Sequence, residues 1–173
     1  MHLTREIDYA LRILRALAQN RNAPNGVSAA ALSELIGVPI RFTQKILRKL
    51  SNGELVYAYK GASGGYCLTR PPEDITLLEV VEILDGELLL SPCLTQDYEC
   101  SHAGRETDCC FFHRVFCEMN RQLRQMMRRV TMQTAAQNPD CDIRALLKTG
   151  DLLPANPHET GNQPENSIIT EDE

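Results

Sequence analysis

The segment from Ser28 to Arg70 constrains this chain more than any other, because it places two short helical patterns and a tight turn directly ahead of a glycine-rich hairpin. Ser28 is positioned to cap a helix containing Ala31, Leu32, Leu35 and Ile36, and Gly37 to end it. After the turn at Val38 and Pro39, a second helix runs through IRFTQKILRKLSNGEL. Phe42, Ile46, Leu47 and Leu50 fall on one of its faces, and Arg41, Gln44, Lys45 and Arg48 on the other. Two short helices of this kind read as helix-turn-helix, although a basic face alone also suits an ordinary solvated helix surface. The next segment decides between them. ELVYAY, KGASGG and YCLTR form two β-rich runs around a Gly-rich turn, a hairpin signature. The expected fold is therefore mainly α with a small β-hairpin wing, a winged helix-turn-helix over residues 1–75.

That fold directs attention to double-stranded DNA. Arg41, Gln44, Lys45 and Arg48, with Pro39 and Thr43 beside them, are the expected contacts of the second helix. In the wing, Lys60, Gly61, Ser63 and Gly64 are the expected contacts: the glycines let backbone approach phosphates, and Lys60 can enter the minor groove. Cys67, inside the second run, reads as a small buried hydrophobe. The net charge of -5 does not argue against this partner, because it is unevenly spread. Residues 1–75 carry ten Lys/Arg against six Asp/Glu, residues 76–149 eight against eleven, and residues 150–173 none against six. A basic patch on one face is what nucleic acid requires.

The remaining elements are written around this unit. Thr4 can cap a first helix whose Ile7, Ala10, Leu11, Leu14, Leu17 and Ala18 share a face, with Asp8, Arg12 and Arg15 opposite. Asp8 and Arg12, four apart, read first as a solvated ion pair. Charges interrupt this N-terminal stretch, so it resembles neither a signal peptide nor a membrane span, and a cytoplasmic protein with reduced thiols is expected. Asp74 or Thr76 can cap TLLEVVEILDG, in which Leu77, Val80, Val81 and Leu84 are apolar and Gly86 closes. Residues 76–150 are expected to hold this linker helix, a cysteine-rich loop at 93–110 and a long helix at 110–133. Phe112, Phe116, Met119, Leu123, Met126 and Val130 repeat as a heptad seam. The seam suits intramolecular packing or, preferably, a homodimer that sets two half-sites of a palindromic operator one helical turn apart, ~34 Å. DIRALLKT reads as a short terminal helix, and residues 151–173 as a disordered acidic tail.

Five of the seven cysteines and two of the four histidines lie between Cys93 and Cys117. In a reducing compartment such a cluster points to metal rather than to disulfides. Cys110, His113 and Cys117 share one helix face, as do Cys109, His113 and Cys117. Thiolates with an imidazole suit zinc or iron-sulfur clusters. Without a C-x-x-C pair, the dispersed spacing fits a loop over a cluster better than a zinc module.

MHLT with DYALR, IGVP-x-RFTQKIL, KGASGGYCLTRPPEDITLLEVVEILDG and a cysteine loop leading into the long helix resemble the Rrf2 family of bacterial winged-helix regulators over roughly residues 1–135. The resemblance implies a transcriptional regulator that senses redox state, nitric oxide or iron through an iron-sulfur cluster of the 2Fe–2S or 4Fe–4S type. It implies three cysteine ligands, matched here by Cys93, Cys100 and Cys110, since the family's last ligand precedes a large apolar residue by six positions and Phe116 lies six beyond Cys110. Cys109 stands as a substitute for Cys110. Six and then nine residues separate the three, so the second loop segment is longer than the family's usual one. The fourth ligand is a histidine three residues after the last cysteine in IscR-like members, matched by His113. In NsrR-like members it is an aspartate of the first helix from the other subunit, matched by Asp8. A cluster-free, CymR-like regulator with Cys109 and Cys110 as redox groups, or a zinc-based one, is the alternative. No Gly-rich phosphate loop or triad order supports an enzyme.

Overall fold

The computed structural model describes residues 3–61, 64–98, 110–137 and 142–148. Seven α-helices and a two-stranded hairpin are present among them: α1 (Arg5–Gln19), α2 (Ala29–Ile36), α3 (Ile40–Asn52), β1 (Val56–Ala58), β2 (Tyr66–Leu68), α4 (Leu77–Asp85), α5 (Phe111–Arg129), α6 (Met132–Gln137) and α7 (Ile143–Lys148).

Local chemistry sets the helix ends. The Thr4 hydroxyl accepts from the Ile7 amide at 3.4 Å, and Ser28 Oγ from the Ala31 amide at 3.1 Å. Thr76, rather than Asp74, caps α4 by accepting from Glu79 N at 3.2 Å. Gly37 ends α2 at φ 66°, a left-handed conformation that costs glycine nothing.

Helix α1 is the axis of the core. It packs against α2, α3, α4, α6 and β2, so Ile13 and Ala16 are buried in addition to the expected Ile7, Ala10, Leu14, Leu17 and Ala18, while Leu11 is half-buried. In α3 the buried stripe is Thr43, Ile46, Leu47 and Leu50. Phe42, expected on that stripe, is 57% exposed, because it lies about 100° round the helix from the stripe's centre. Leu35 of α2 is likewise exposed, leaving Leu32 as that helix's one fully buried side chain.

The strands pair antiparallel with Val56 opposite Leu68, Tyr57 opposite Cys67 and Ala58 opposite Tyr66. Val27 adds a further rung on the other edge of β2, exchanging main-chain bonds of 2.9 and 2.8 Å with Tyr66. The apolar core continues past residue 75: Ile75, Leu78, Val80, Val81, Leu84, Leu88, Met127 and Met132 join the α1 and α3 residues in one cluster.

On α5 the expected seam divides between two faces. Phe116, Leu123 and Val130 are half-buried beside the buried Asn120 and Met127, whereas Phe112, Met119 and Met126 are exposed at 65%, 53% and 37%. The inward stripe therefore follows its own heptad register, and three large apolar side chains of the outward one are uncovered within the chain.

Candidate nucleic-acid interface and cysteine site

The free face of α3 carries the expected polar residues. Arg41, Gln44, Lys45 and Arg48 are all exposed, and Pro39 is exposed at the N-cap without a side-chain cap bond. Thr43 corrects the expectation. It is fully buried, and its hydroxyl lies 3.4 Å from the carbonyl oxygens of both Val38 and Pro39. Its work is to hold the turn between α2 and α3, which leaves no side-chain surface for DNA. A polar residue among apolar ones at helical spacing was the signal for this role.

At the wing, Lys60 and Gly61 are exposed, and Gly61 adopts φ 118°. Gly64 is half-buried and donates to the Gly61 carbonyl at 3.1 Å; Ser63 lies outside the described residues. The hairpin is stiffened by the rings of Tyr57 and Tyr59, edge to face at 5.2 Å between centroids. Cys67 is half-buried, and its hydrogen bond with Tyr59 pushes that phenol's pKa up.

The cysteine loop begins and ends on the packed part of the molecule. Cys93 sits in a single 3-10 turn, Pro92–Leu94, where its amide and thiol approach Ser91 Oγ at 3.4 and 3.1 Å. That turn packs against α5, whose N-cap is Cys110. Both cysteines are half-buried free thiols, and Cys110 makes no side-chain cap bond. Asn120 fixes the approach to the loop by accepting from the Leu90 amide at 3.1 Å, a contact that its place amid the heptad residues did not announce.

His113 Nε2 lies 3.3 Å from Cys117 Sγ, while its Nδ1 is buried without a hydrogen bond. Asp8 is exposed on the outer face of α1 and pairs with Arg12 at 2.9 Å, as the simplest reading of their spacing expected. Cys100 and Cys109 lie outside the described residues. Among the described residues, no three His, Cys, Asp or Glu side chains converge.

The sequence profile of the Rrf2 family, described as iron-dependent transcriptional regulator, matches residues 3–138. The chain belongs to the Rrf2 family. It is 31% identical over 120 residues to an rrf2-like HTH-type transcriptional regulator of Rhodobacter capsulatus, covering 68% of this chain and 80% of that one. It is 29% identical over 156 residues to the HTH-type transcriptional regulator NsrR of Shouchella clausii, covering 86% and 96% of the two chains. Among solved structures, CymR, the global cysteine regulator of B. subtilis, matches 81% of this chain and 99% of its own with a TM-score of 0.64 at 18% identity. IscR of T. potens matches 79% and 85% with a TM-score of 0.57 at 20% identity. At these identities the structural matches speak for the winged-helix fold.

As an Rrf2 protein the chain is a DNA-binding transcriptional regulator and not an enzyme. Among the described residues, no helix is long and apolar enough to cross a membrane. The donors flanking the loop in sequence, the Cys93 and Cys110 thiols and the His113 imidazole with one buried unpartnered nitrogen, are of the kind that iron-sulfur clusters and zinc accept.

Proposed function

We propose that this Rrf2 regulator works in the cytoplasm as a homodimer on a palindromic operator and senses redox state, nitric oxide or iron through an iron-sulfur cluster. The ligands are Cys93, Cys100 and Cys110, with His113 or Asp8 of the partner subunit as the fourth. The observation that carries this reading is the packing of the Cys93 turn against α5, the helix whose N-cap is Cys110. When bound, a cluster supplies a redox-labile cross-link between these cysteines. The chain's own residues do the rest. Ser91 holds the Cys93 thiol, Asn120 fixes the backbone before the loop, and α5 carries the position of Cys110 and His113 into the body of the molecule. The roles divide accordingly: residues 1–75 contact DNA, and residues 76–150 sense and dimerise.

The contact between His113 Nε2 and Cys117 Sγ favours a second reading, a zinc- or thiol-based regulator of the same fold. One experiment separates them. Protein purified without air should be coloured and contain iron and sulfide, and Cys93→Ala or Cys100→Ala should abolish both. Stoichiometric zinc without sulfide, or colourless protein whose DNA binding ignores iron, would overturn the cluster reading.

A further inference from the structure

A carboxylate lies beneath the DNA-facing helix. Glu6, in the first turn of α1, reaches α3, where its Oε2 accepts from Lys49 Nζ at 2.9 Å. Its Oε1 is buried without a hydrogen bond, and the cation facing it, Lys45 Nζ, stands 4.0 Å away. A buried carboxylate oxygen without a donor is costly, so a cation held just beyond bonding distance is drawn toward it. The two lysines are unequal: the Lys49 side chain is 39% exposed and that of Lys45 is 65% exposed. Lys45 shares the free face with Arg41, Gln44 and Arg48, whereas Lys49 sits at the edge nearest α1.

We propose that Glu6 is a positioning residue that gives the two lysines different work. Lys49 is the fixed counter-ion that ties α3 to α1. Lys45 is held loosely by Glu6 and transfers to a DNA phosphate on binding, so Glu6 competes with DNA for it. This role rests on the proposed function, in which α3 is the DNA-contacting helix.

The test uses the full-length protein and a short random-sequence DNA duplex, titrated between about 50 and 200 mM salt. Lys45→Met should reduce the slope of log affinity against log salt by about 0.9, the share of one phosphate contact. Its thermal midpoint should fall less than that of Lys49→Met, because Lys45 holds Glu6 at 4.0 Å rather than at bonding distance. Lys49→Met should lower the midpoint and leave the slope alone, and adding Glu6→Gln should restore the midpoint by removing the stranded charge. Glu6→Gln alone should tighten duplex binding about 2- to 5-fold, the worth of a screened ion pair. Equal slope changes from both lysine variants, or weaker binding by Glu6→Gln, would overturn the inference. The double variant Arg41→Ala/Arg48→Ala separates the two levels. If it leaves duplex binding intact, α3 does not face DNA and the underlying reading falls; if it weakens binding while Lys45→Met leaves the slope unchanged, only the role of Glu6 falls.

Discussion

Thr76 and Thr131 face each other across an antiparallel bridge that joins the N-cap of α4 to the residues just past the end of α5. Leu77 donates to the Val130 carbonyl at 2.8 Å, and Met132 donates to the Ile75 carbonyl at 2.9 Å. Thr131 then accepts from Thr134 N at 3.2 Å and starts α6, which packs on α1. Helix α5 thus has the candidate ligands Cys110 and His113 at one end and a main-chain joint to the winged domain at the other. Its 19 residues span about 28 Å at 1.5 Å per residue. A second tie, the ion pair of Arg124 with Glu82, holds α5 to α4 along the way. A displacement of Cys110 therefore reaches α1 through packed helices rather than through a linker.

Met132 is the apolar half of that joint, 2% exposed within the main core cluster. Met132→Ala should destabilise the protein by about 2–5 kcal/mol, the usual cost of emptying a buried site. Urea unfolding measures it. A loss below about 1 kcal/mol would mean that the joint is not part of the core.

The Thr4 and Ser28 caps and the Gly37 end were legible in the sequence because each depends on a residue type beside its own helix terminus, whereas the α4 cap was narrowed only to Asp74 or Thr76. Helix α6 and the Val27 rung were not legible, since α6 leans on α1 and on Ile75, and Val27 on Tyr66, all distant in sequence. Phe42 and Thr43 show the same limit within one helix: hydropathy assigns the phenylalanine to the core, but the turn carbonyls at Val38 and Pro39 claim the threonine's place there. For the proposed metal site, donor types could be read from the sequence, but the choice between His113 and Asp8 of the partner subunit turns on an assembly that no single-chain pattern encodes.

Gly64 and Gly65 should be the least replaceable residues of the wing: a Cβ on Gly64 would run into the Tyr59 carbonyl oxygen, and Gly65 is walled in by main chain as well. A Cβ on Gly65 would lie 2.6 Å from the Asn25 carbonyl oxygen and 3.0 Å from main-chain atoms of Gly26 and Val27, none of which can rotate away. Gly65→Ala should cost about 1–3 kcal/mol by overpacking and impair duplex binding. Gly61→Ala meets no atom within 4 Å and is strained only by φ 118°. It should cost about 1 kcal/mol and leave the hairpin intact by circular dichroism.

Arg41 and Thr43 should separate readout from scaffold. Selection of bound sequences from a randomised duplex pool should show Arg41→Ala relaxing preference at one position per half-site, at about 1–3 kcal/mol. Thr43→Val should instead lower stability, because the buried hydroxyl near two turn carbonyls is lost, with the selected sequence unchanged. A uniform effect of Arg41→Ala on all sequences would make it a phosphate contact.

Glu118 predicts an acid-dependent contribution to α5. Hydrogen bonds from Arg121 and then Gln122 hold its carboxyl down at about 2, against an ordinary 4.5. The folded state therefore prefers Glu118 ionised. Its stabilising effect is complete above the ordinary value and is lost as pH falls from there through about 2. The thermal midpoint of Glu118→Gln should lie below wild type near neutral pH and meet it at the acid end. Because the pair is exposed on the helix surface, added salt should shrink the gap.

The outward stripe of α5 ties the proposed dimer to the identity of the proposed fourth ligand. Phe112, Met119 and Met126 are large, apolar and exposed, so a second copy that covers them gains by their burial. Met119→Glu adds a charge to a side chain already 53% exposed, so the fold of the single chain should survive, while sedimentation velocity should show a monomer. If Asp8 of the partner subunit completes the cluster, this monomer should lose iron and sulfide in anaerobic preparations, and Asp8→Ala should do so within an intact dimer. If His113 completes it, the monomer should retain the cluster and His113→Ala should lose it. Asp8→Ala would also free Arg12 from its 2.9 Å partner. Arg12→Ala is therefore the control: cluster loss from both variants would trace to the surface of α1 rather than to a ligand. Retention of the cluster in Asp8→Ala and His113→Ala alike would exclude both candidates.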